Sequence, residues 1–401
     1  MDEVRMVRES YAEPPRPSPQ QLAQEIAQVK AMLNEPRRRT LPRLRWGLGG
    51  GLIAVGAALT VAITLVGGGG GENTTVTPPG QVNLDAKGAV LAAAQKAEQQ
   101  PSGNYWYTNV IQGQAYIMRP KTGTYAIDGA LTETFNWSGA KTGMGEGYAG
   151  RDLPAHLKTA QDKALWRKAG SPSTFPVWSG DKALTFSSKP VKWQLDGPEK
   201  GTYPRGGGKF LDGNKSVEDL QNLPTDPAKL AKMFLGPGGM AGSGAPAGKA
   251  AKAQRAAGMR GAANARTQIS MVSSVLGSNP VPPKVRAGLM RALANQPGVH
   301  AIGRATDPLG REGVALASDD FATTTTGEYG GPKAERGTYR SREVIIFDEG
   351  TGELLSRQDV LTSPGGKYSE MKPGFIIEYS TVRSAKWTDT KPTPPADLPF
   401  D

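Results

Sequence analysis

The stretch 344–360, VIIFDEGTGELLSRQDV, is the clearest β-hairpin in the chain. Two apolar runs flank the residues EGTG, in which Gly350 and Gly352 can supply the positive φ that a tight turn requires. Its two strands are predicted over 343–348 and 354–361. Four more segments rich in Tyr, Trp, Thr, Val and Ile are predicted as strands, because this composition favours a half-buried pleated surface. In one of them, 104–120, side chains alternate between two faces, with Tyr105 and Tyr107 on one and Trp106 and Thr108 on the other. The other three are 131–138, 191–195 and 375–386.

Helices are predicted before and between these strands. One begins at Asp85, and the others cover 227–235, 267–277 and 282–295, the last with Val285, Leu289 and Leu293 at four-residue spacing. The order of strands, then helices, then strands indicates an α+β domain over 85–388, with an antiparallel sheet packed on helices. A polar loop is predicted over 318–342, and 389–401 is a Pro-rich tail.

One segment interrupts this pattern. Residues 236–266 are rich in Gly and Ala and contain five Lys or Arg but no acid, which predicts a mobile basic insertion. The whole chain of 401 residues has a net charge of +11, and this insertion holds a large share of it. Because the excess is concentrated there and beside an apolar segment, we expect no direct nucleic-acid partner, and the sign instead favours anionic envelope polymers or lipid headgroups.

The apolar segment is 48–66, LGGGLIAVGAALTVAITLV, which has no charged residue. As a helix it would extend about 28 Å, close to the hydrocarbon thickness of a bilayer. The residues after it, 67–84, are predicted to form a Gly/Thr/Pro-rich flexible tether. The basic juxtamembrane segment before it, 37–47, contains five arginines: Arg37, Arg38, Arg39, Arg43 and Arg45. By the positive-inside rule the N-terminus is cytoplasmic and the remainder lies outside the cell membrane. A cleaved secretory signal is the alternative, with an n-region of unusual length.

The cytoplasmic stub, 1–36, contains one amphipathic helix. Ser18 and Gln21 form a capping box around Pro19. The apolar stripe that follows consists of Leu22, Ile26, Val29 and Leu33. This stub is too short to bury a core of its own. The stripe therefore docks in a partner's groove or lies on the inner leaflet, or else the stub is a mostly disordered tail.

Composition disfavours the common enzyme chemistries. The chain has no Cys and two His, His156 and His300, far apart in sequence, so a thiolate or histidine metal cluster is not expected. The fragment 242–249 resembles a phosphate loop but has the wrong spacing, and Ala250 replaces the required Ser or Thr. We therefore predict no enzyme and no cofactor.

Aromatic residues on the predicted strands and loops leave two interpretations open. They either line a cavity for an apolar or envelope-derived ligand or belong to the core, and the core is favoured. These residues are Tyr105, Trp106, Tyr107, Tyr116, Trp137, Trp166, Trp178, Trp193 and Trp387.

Several segments, in their order, resemble an actinobacterial family of single-pass membrane proteins found beside extracytoplasmic-function sigma factors. They begin with MDEVRMVRESYAE and SPQQLAQEIAQVKAML in the stub and include LWRKAGSP, LPTDPAKLAKMFL, PPKVRAGLMRALANQPGV, AIGRATDPLGREGVALA and IIFDEGTGELLS. The resemblance implies an anti-sigma-factor-like regulator, although the stub has neither the His nor the Cys of a zinc-type anti-sigma domain. By analogy it also implies a half-barrel, lipoprotein-carrier-like exported domain.

Two functions follow from this. The first is a regulator whose stub binds a sigma factor while the exported domain senses the envelope. The alternative is a membrane-anchored binding or carrier domain for a lipid or envelope ligand, with the stub only setting topology.

The stub stripe can be tested directly. Replacing Leu22, Ile26 and Leu33 by Asp should abolish capture of a sigma factor by residues 1–47 in a pull-down, because a charged face cannot fill an apolar groove. Equal capture by the substituted and the original stub would contradict the docking interpretation.

Overall fold

The computed structural model describes residues 84–400 apart from 181, 197–201, 204–205, 207–209, 212–214, 237–259 and 329. The chain divides into two compact units, Met1–Gly70 and Gly71–Asp401, and all described residues belong to the second. The predicted stub helix, basic segment, membrane span and most of the tether therefore lie outside the described residues. Within the described part, no helix is both long and apolar enough to cross a membrane.

Six α-helices are described in this unit. They are α1 (Leu84–Glu98), α2 (Ala160–Lys168), α3 (Val217–Gln221), α4 (Pro227–Leu230), α5 (Arg260–Ser278) and α6 (Pro283–Ala294). A π-helical turn, Ala231–Leu235, continues α4. Helix α4 begins with Asp226 as N-cap, whose carboxylate accepts from the Lys229 amide, and with Pro227 in its first turn.

Fourteen strands are described. The first eight are β1 (Tyr105–Met118), β2 (Tyr125–Gly139), β3 (Glu146–Asp152), β4 (His156–Leu157), β5 (Thr174–Ser179), β6 (Lys182–Ser187), β7 (Gln194–Asp196) and β8 (Thr202–Tyr203). The last six are β9 (Val299–Thr306), β10 (Glu312–Ser318), β11 (Phe321–Thr325), β12 (Gly337–Phe347), β13 (Leu354–Ser363) and β14 (Ile376–Thr388).

Twelve of these strands form one antiparallel sheet. Its main path runs β7-β3-β2-β1-β14-β13-β12-β10-β9, with β4, β8 and β11 attached at its sides, and β5 and β6 form a separate hairpin. The first long strand therefore pairs with the last, Trp106 opposite Trp387. Register shifts interrupt the β1–β2, β1–β14, β12–β13 and β13–β14 ladders, and such bulges bend and twist a sheet.

Helices α1, α5 and α6 cover one side of this sheet. The stripe predicted on α6 is confirmed, since Val285, Leu289 and Leu293 are at most 1% exposed. These side chains join one core cluster with Ile345 and Phe347 of β12. Burying each such side chain stabilises the fold by roughly 1.5–3 kcal/mol. The predicted α+β class, an antiparallel sheet packed on helices, is confirmed.

Three boundaries differ from the predictions. The insertion does not reach Arg266, because α5 begins at Arg260 and Ala265 is fully buried; its part 237–259 lies outside the described residues. The polar loop 318–342 contains β11 and the first residues of β12, paired with each other from Phe321 to Thr325. The strand predicted over 191–195 begins only at Gln194.

The hairpin 344–360 forms as predicted, but only one of its glycines needs special geometry. Gly352 has a φ of +69°, and a Cβ built there would lie 2.1 Å from the carbonyl oxygen of Ala93 in α1. At Gly350 the nearest neighbour would be Asp348 Oδ1 at 3.4 Å. The close approach of the turn to α1, and not the turn alone, therefore requires glycine at 352.

Replacing Gly352 by Ala should lower the free energy of unfolding by about 2–4 kcal/mol, from the strained φ and the clash with α1. Gly350→Ala is the matched control and should cost less than about 1 kcal/mol. Urea unfolding followed by tryptophan fluorescence measures both. Equal losses for the two variants would show that the contact with α1 does not constrain the turn.

Candidate functional site

The side of β1, β2, β3 and β14 turned away from the helices, called here the outer face, carries the candidate site. Tyr107 on β1 stands directly opposite Trp137 on β2 and Lys386 on β14. Opposed residues of an antiparallel pair share a face. Trp106, one position earlier, points into the helix-side core. The alternation predicted for 104–120 thus places one set of side chains in the helix-side core and the other set on the outer face.

Three charged residues, the ion trio, lie at the centre of the outer face. Glu133 on β2 is fully buried and stands opposite Arg151 on β3. Arg151 Nε donates to Glu133 Oε2 at 2.7 Å, and Arg383 Nη1 donates to Oε1 at 3.1 Å. A buried carboxylate needs such partners because its desolvation is costly. Glu133 therefore fixes two guanidinium groups on the sheet.

Both guanidinium groups have donors left over, and these hold the C-terminal segment 389–400, called here the strap. Arg151 Nη2 donates to the backbone oxygen of Asp397 at 2.5 Å, and Arg383 Nη1 donates to the same oxygen at 3.2 Å. Arg383 also pairs with the Asp397 carboxylate. The strap therefore crosses the outer face with its backbone bound to the ion trio.

Aromatic groups hold the strap on both sides of the trio. The indole Nε1 of Trp193 donates to the backbone oxygen of Pro395 at 2.7 Å, and the Arg151 guanidinium lies 4.4 Å from the centre of the same indole. Nearer the C-terminus, Phe400 stacks on His156 with ring centres 4.9 Å apart. Burial lowers the pKa of His156, which favours the neutral ring.

Between the strap and the strands lies an open cleft of about 400 Å³, called here the strap cleft. The strands contribute Tyr107, Phe135, Arg383, Ser384, Lys386 and Thr388, and the strap contributes Thr390, Pro392, Thr393 and Pro395. The Tyr107 and Phe135 rings are 5.5 Å apart and form an aromatic wall. Lys386 is exposed and forms no salt bridge with a described residue. Its charge does act on Glu353: burial raises the pKa of that carboxyl, and the charges of Arg286 and Lys386 limit the rise. The cleft therefore combines an aromatic surface, hydroxyl groups and an available cation.

Most of the nine aromatic residues, for which a cavity lining and a core position were both open, do not line a cavity. Trp106, Tyr116 and Trp137 are at most 8% exposed and belong to core clusters, which confirms the favoured core interpretation for these three. Trp106 and Trp137 do border a second cavity, but its volume is about 20 Å³, room for about one water molecule. Of the nine aromatic residues, Tyr107 lines the strap cleft and Trp193 contacts the strap.

A second group of charges, the helix-side ionic cluster, lies where α5 meets β12 and β13. Glu343 is fully buried, and its Oε1 accepts from Arg357 Nη1 at 2.6 Å. Arg266 on α5 lies 3.1 Å from Glu343 Oε2 and 3.4 Å from Asp359 Oδ2, and its guanidinium stacks on Phe321 at 3.8 Å. These contacts fix the first turns of α5 on the sheet. The positive and negative charges nearly balance, as in a structural ion network.

Burial raises the pKa of Glu343 to about 7, and the guanidinium groups of Arg357 and Arg266 limit that rise. Burial also raises the pKa of Asp359. Among the described residues no group of three or more acidic, His or Cys side chains is arranged to hold a metal ion. His300 donates to or accepts from exposed Asp319 at 2.7 Å at the surface.

The partner-binding residues predicted in the stub, Leu22, Ile26, Val29 and Leu33, and the five topology arginines lie outside the described residues. No residue of the ion trio was predicted from sequence. One signal was present: Glu133 interrupts the apolar face formed by Leu131, Phe135 and Trp137 on a predicted strand. A carboxylate on a buried strand face implies a cationic partner on a neighbouring strand.

No protein-family model matches the chain, and no curated protein sequence is significantly similar to it. Among solved structures, the chain is similar to LprF from Mycobacterium bovis at 8% sequence identity, over 79% of this chain and 99% of that one. The TM-score of this superposition is 0.23, which is too low to infer a shared fold or function.

Glu343→Gln should change how stability depends on pH. The folded chain keeps a proton on Glu343 up to about pH 7, whereas the unfolded chain releases it near pH 4.5, so this group's contribution to stability falls as pH rises between the two values. The glutamine variant lacks that loss. Relative to the original chain it should gain about 1 kcal/mol per pH unit between pH 5 and 7.

Urea unfolding at several pH values measures this difference. Glu349→Gln is the control, because Glu349 is an exposed residue that pairs with Arg304 outside the helix-side ionic cluster; this variant should keep the loss of stability between pH 5 and 7. Parallel pH profiles for Glu343→Gln and the original chain would contradict the proposed protonation of Glu343.

Proposed function

We propose that the protein is a membrane-anchored binding or carrier protein whose domain holds an anionic, amphiphilic ligand of the cell envelope in the strap cleft. The observation that carries the proposal is the cleft itself, in which the Tyr107 ring, packed on Phe135, lies beside the exposed ammonium group of Lys386. The proposal assigns no reaction to the protein.

The size and walls of the cleft support a ligand of this kind. A volume of about 400 Å³ is within the range of small-molecule sites, which are typically apolar with a few placed polar groups. Tyr107 offers apolar surface to a hydrocarbon or ring, with the buried Phe135 ring packed behind it, and Ser384 and Thr388 offer hydroxyl groups. A headgroup at one end and an apolar portion at the other fit this division.

The charge around the cleft supports an anion. Arg383 is already paired with Glu133 and Asp397, whereas Lys386 forms no salt bridge with a described residue and interacts with Glu353 only through the charge. Lys391 on the strap lies over the Trp137 ring at 4.4 Å and adds a second cation near the cleft. A charge-assisted hydrogen bond from Lys386 to a phosphate or carboxylate contributes about 1.5–3 kcal/mol.

The difference between the two sides of the sheet supports a ligand site on the outer face. On the helix side the core cluster fills the space with buried side chains such as Leu289 and Phe347. The bulged antiparallel sheet has the local bends that a half barrel requires, and a lipoprotein-carrier-like half barrel is part of the proposal. The extracytoplasmic position of the domain, which follows from the predicted membrane span, is part of it too.

Lys386→Gln should weaken binding of dihexanoyl-phosphatidylglycerol about tenfold, or about 1.4 kcal/mol, because it removes the cation without changing the size of the side chain greatly. Isothermal titration calorimetry on the full-length chain in a neutral detergent measures this. Lys284→Gln is the control, since Lys284 is an exposed residue of α6 in the helical layer.

Two further titrations identify the chemistry of the ligand. Dihexanoyl-phosphatidylcholine should bind at least tenfold more weakly than the phosphatidylglycerol if net negative charge is required. Inorganic phosphate binding as tightly as the anionic lipid would show that the cleft recognises the anion alone and not an amphiphile. Equal binding of the anionic lipid to both lysine variants would contradict the assignment of the ligand to this cleft.

A further inference from the structure

The strap is held in the way that proteins hold a separate extended peptide. Every described strap residue is half-buried or exposed, and Leu398 is 38% exposed. The strap has no helix or strand, and much of its hold comes from hydrogen bonds between outer-face side chains and its backbone oxygens. It therefore contributes little to the core beneath it, although Phe400 packs at the edge of one small cluster.

The groups that hold the strap do not depend on it for their position. Glu133, at 0% exposure, fixes Arg151 and Arg383 through hydrogen bonds within the sheet. Trp193 packs near Phe135 and Trp137 in an aromatic cluster. If the strap left, the guanidinium donors and the indole N–H would remain in place at the surface of the sheet. Such preorganised donors reduce the entropic cost of binding.

The chemistry of these donors matches a proline-rich peptide. Proline lacks a backbone N–H but keeps a carbonyl acceptor, and the Trp193 indole donates to such a carbonyl at Pro395. Grooves that bind proline-rich segments are lined with aromatic rings. The strap itself carries four prolines, Pro392, Pro394, Pro395 and Pro399. Arg383 adds a requirement for a carboxylate, which Asp397 satisfies in the strap.

We propose that the groove formed by Trp193, Arg151 and Arg383 is a docking site for a proline-rich partner segment that carries an acidic side chain, and that the chain's own strap occupies it in cis. A partner segment competes with the strap for the same donors. Displacement of the strap also removes one wall of the strap cleft, since Thr390, Pro392, Thr393 and Pro395 line it. The docking proposal does not depend on what the cleft binds.

The test uses a fluorescent peptide of residues 389–401, DTKPTPPADLPFD, and the full-length chain in a neutral detergent. Removal of residues 392–401 should raise the affinity for this peptide at least tenfold, because the strap no longer competes in cis. Fluorescence anisotropy measures binding. A peptide with its prolines replaced by alanine should bind the shortened chain at least fivefold more weakly.

Two tryptophan variants of the shortened chain locate the groove. Trp193→Phe should weaken peptide binding about fivefold to tenfold, because it removes the indole donor and keeps an aromatic ring. Trp166→Phe is the matched control, since its indole donates to Pro172 beside α2, and should leave binding unchanged. Equal effects of the two variants would overturn the assignment of the groove.

If the shortened chain loses its near-native circular dichroism or cooperative unfolding, the full-length double variant Asp397→Ala, Phe400→Ala replaces it. This variant keeps the strap but removes its carboxylate and its stacking ring, so peptide binding should still increase at least fivefold over the original chain. No increase in a folded variant would overturn the proposal. A dimer of the original chain that disappears on removal of 392–401 would show that the occupant is a second copy's strap, which also overturns it.

Discussion

The pairing of β1 with β14 is the constraint on which the rest of the described structure depends. It joins Tyr105–Met118 to Ile376–Thr388, strands about 270 residues apart in sequence. Such a contact carries a high loop-closure entropy and must be supported by side chains on both faces. On one face Trp106 packs against Trp387 in the helix-side core. On the other, the same register places Tyr107 beside Lys386 and forms the wall of the cleft.

Each face of the sheet carries one buried glutamate that two arginines bracket. Glu133 lies between Arg151 and Arg383 on the outer face, and Glu343 contacts Arg357 and Arg266 on the helix side. Removing the carboxylate of Glu133 would leave the Arg151 side chain, which is only 5% exposed, without its anionic partner, at a cost of about 3–5 kcal/mol.

The two glutamates differ in what their arginines do next. On the helix side the remaining donors of Arg266 are directed to Asp359, another residue of the sheet, so the network is closed and fixes α5. On the outer face the remaining donors of Arg151 and Arg383 reach the strap. The outer face is thus the one where the folded chain presents donors to an extended segment, which is why both proposals concern it.

Local sequence signals predicted the hairpin 344–360 and helix α6 correctly, because turn residues and a four-residue apolar spacing are properties of neighbouring residues. Strands β9 and β10 were missed, since their apolar runs are short and Arg304 interrupts that of β9. Arg311 is accommodated only in the folded chain, where it pairs with buried Asp307. The predicted start of helix α5 was too late, because the Gly/Ala-rich first turns of this helix resemble a low-complexity segment.

The α+β class, the alternation of β1 and the apolar stripe of α6 could be predicted from the sequence, because side-chain period and turn chemistry are encoded within a few residues. The sequence also indicated the part of the site on β1, since Tyr107 was among the aromatic residues considered for a cavity lining. Only the tertiary structure decided that the Pro-rich tail lies on the outer face. Arg151 and Arg383 come from distant strands and meet Glu133 only after β1 has paired with both β2 and β14, and no local pattern encodes that meeting.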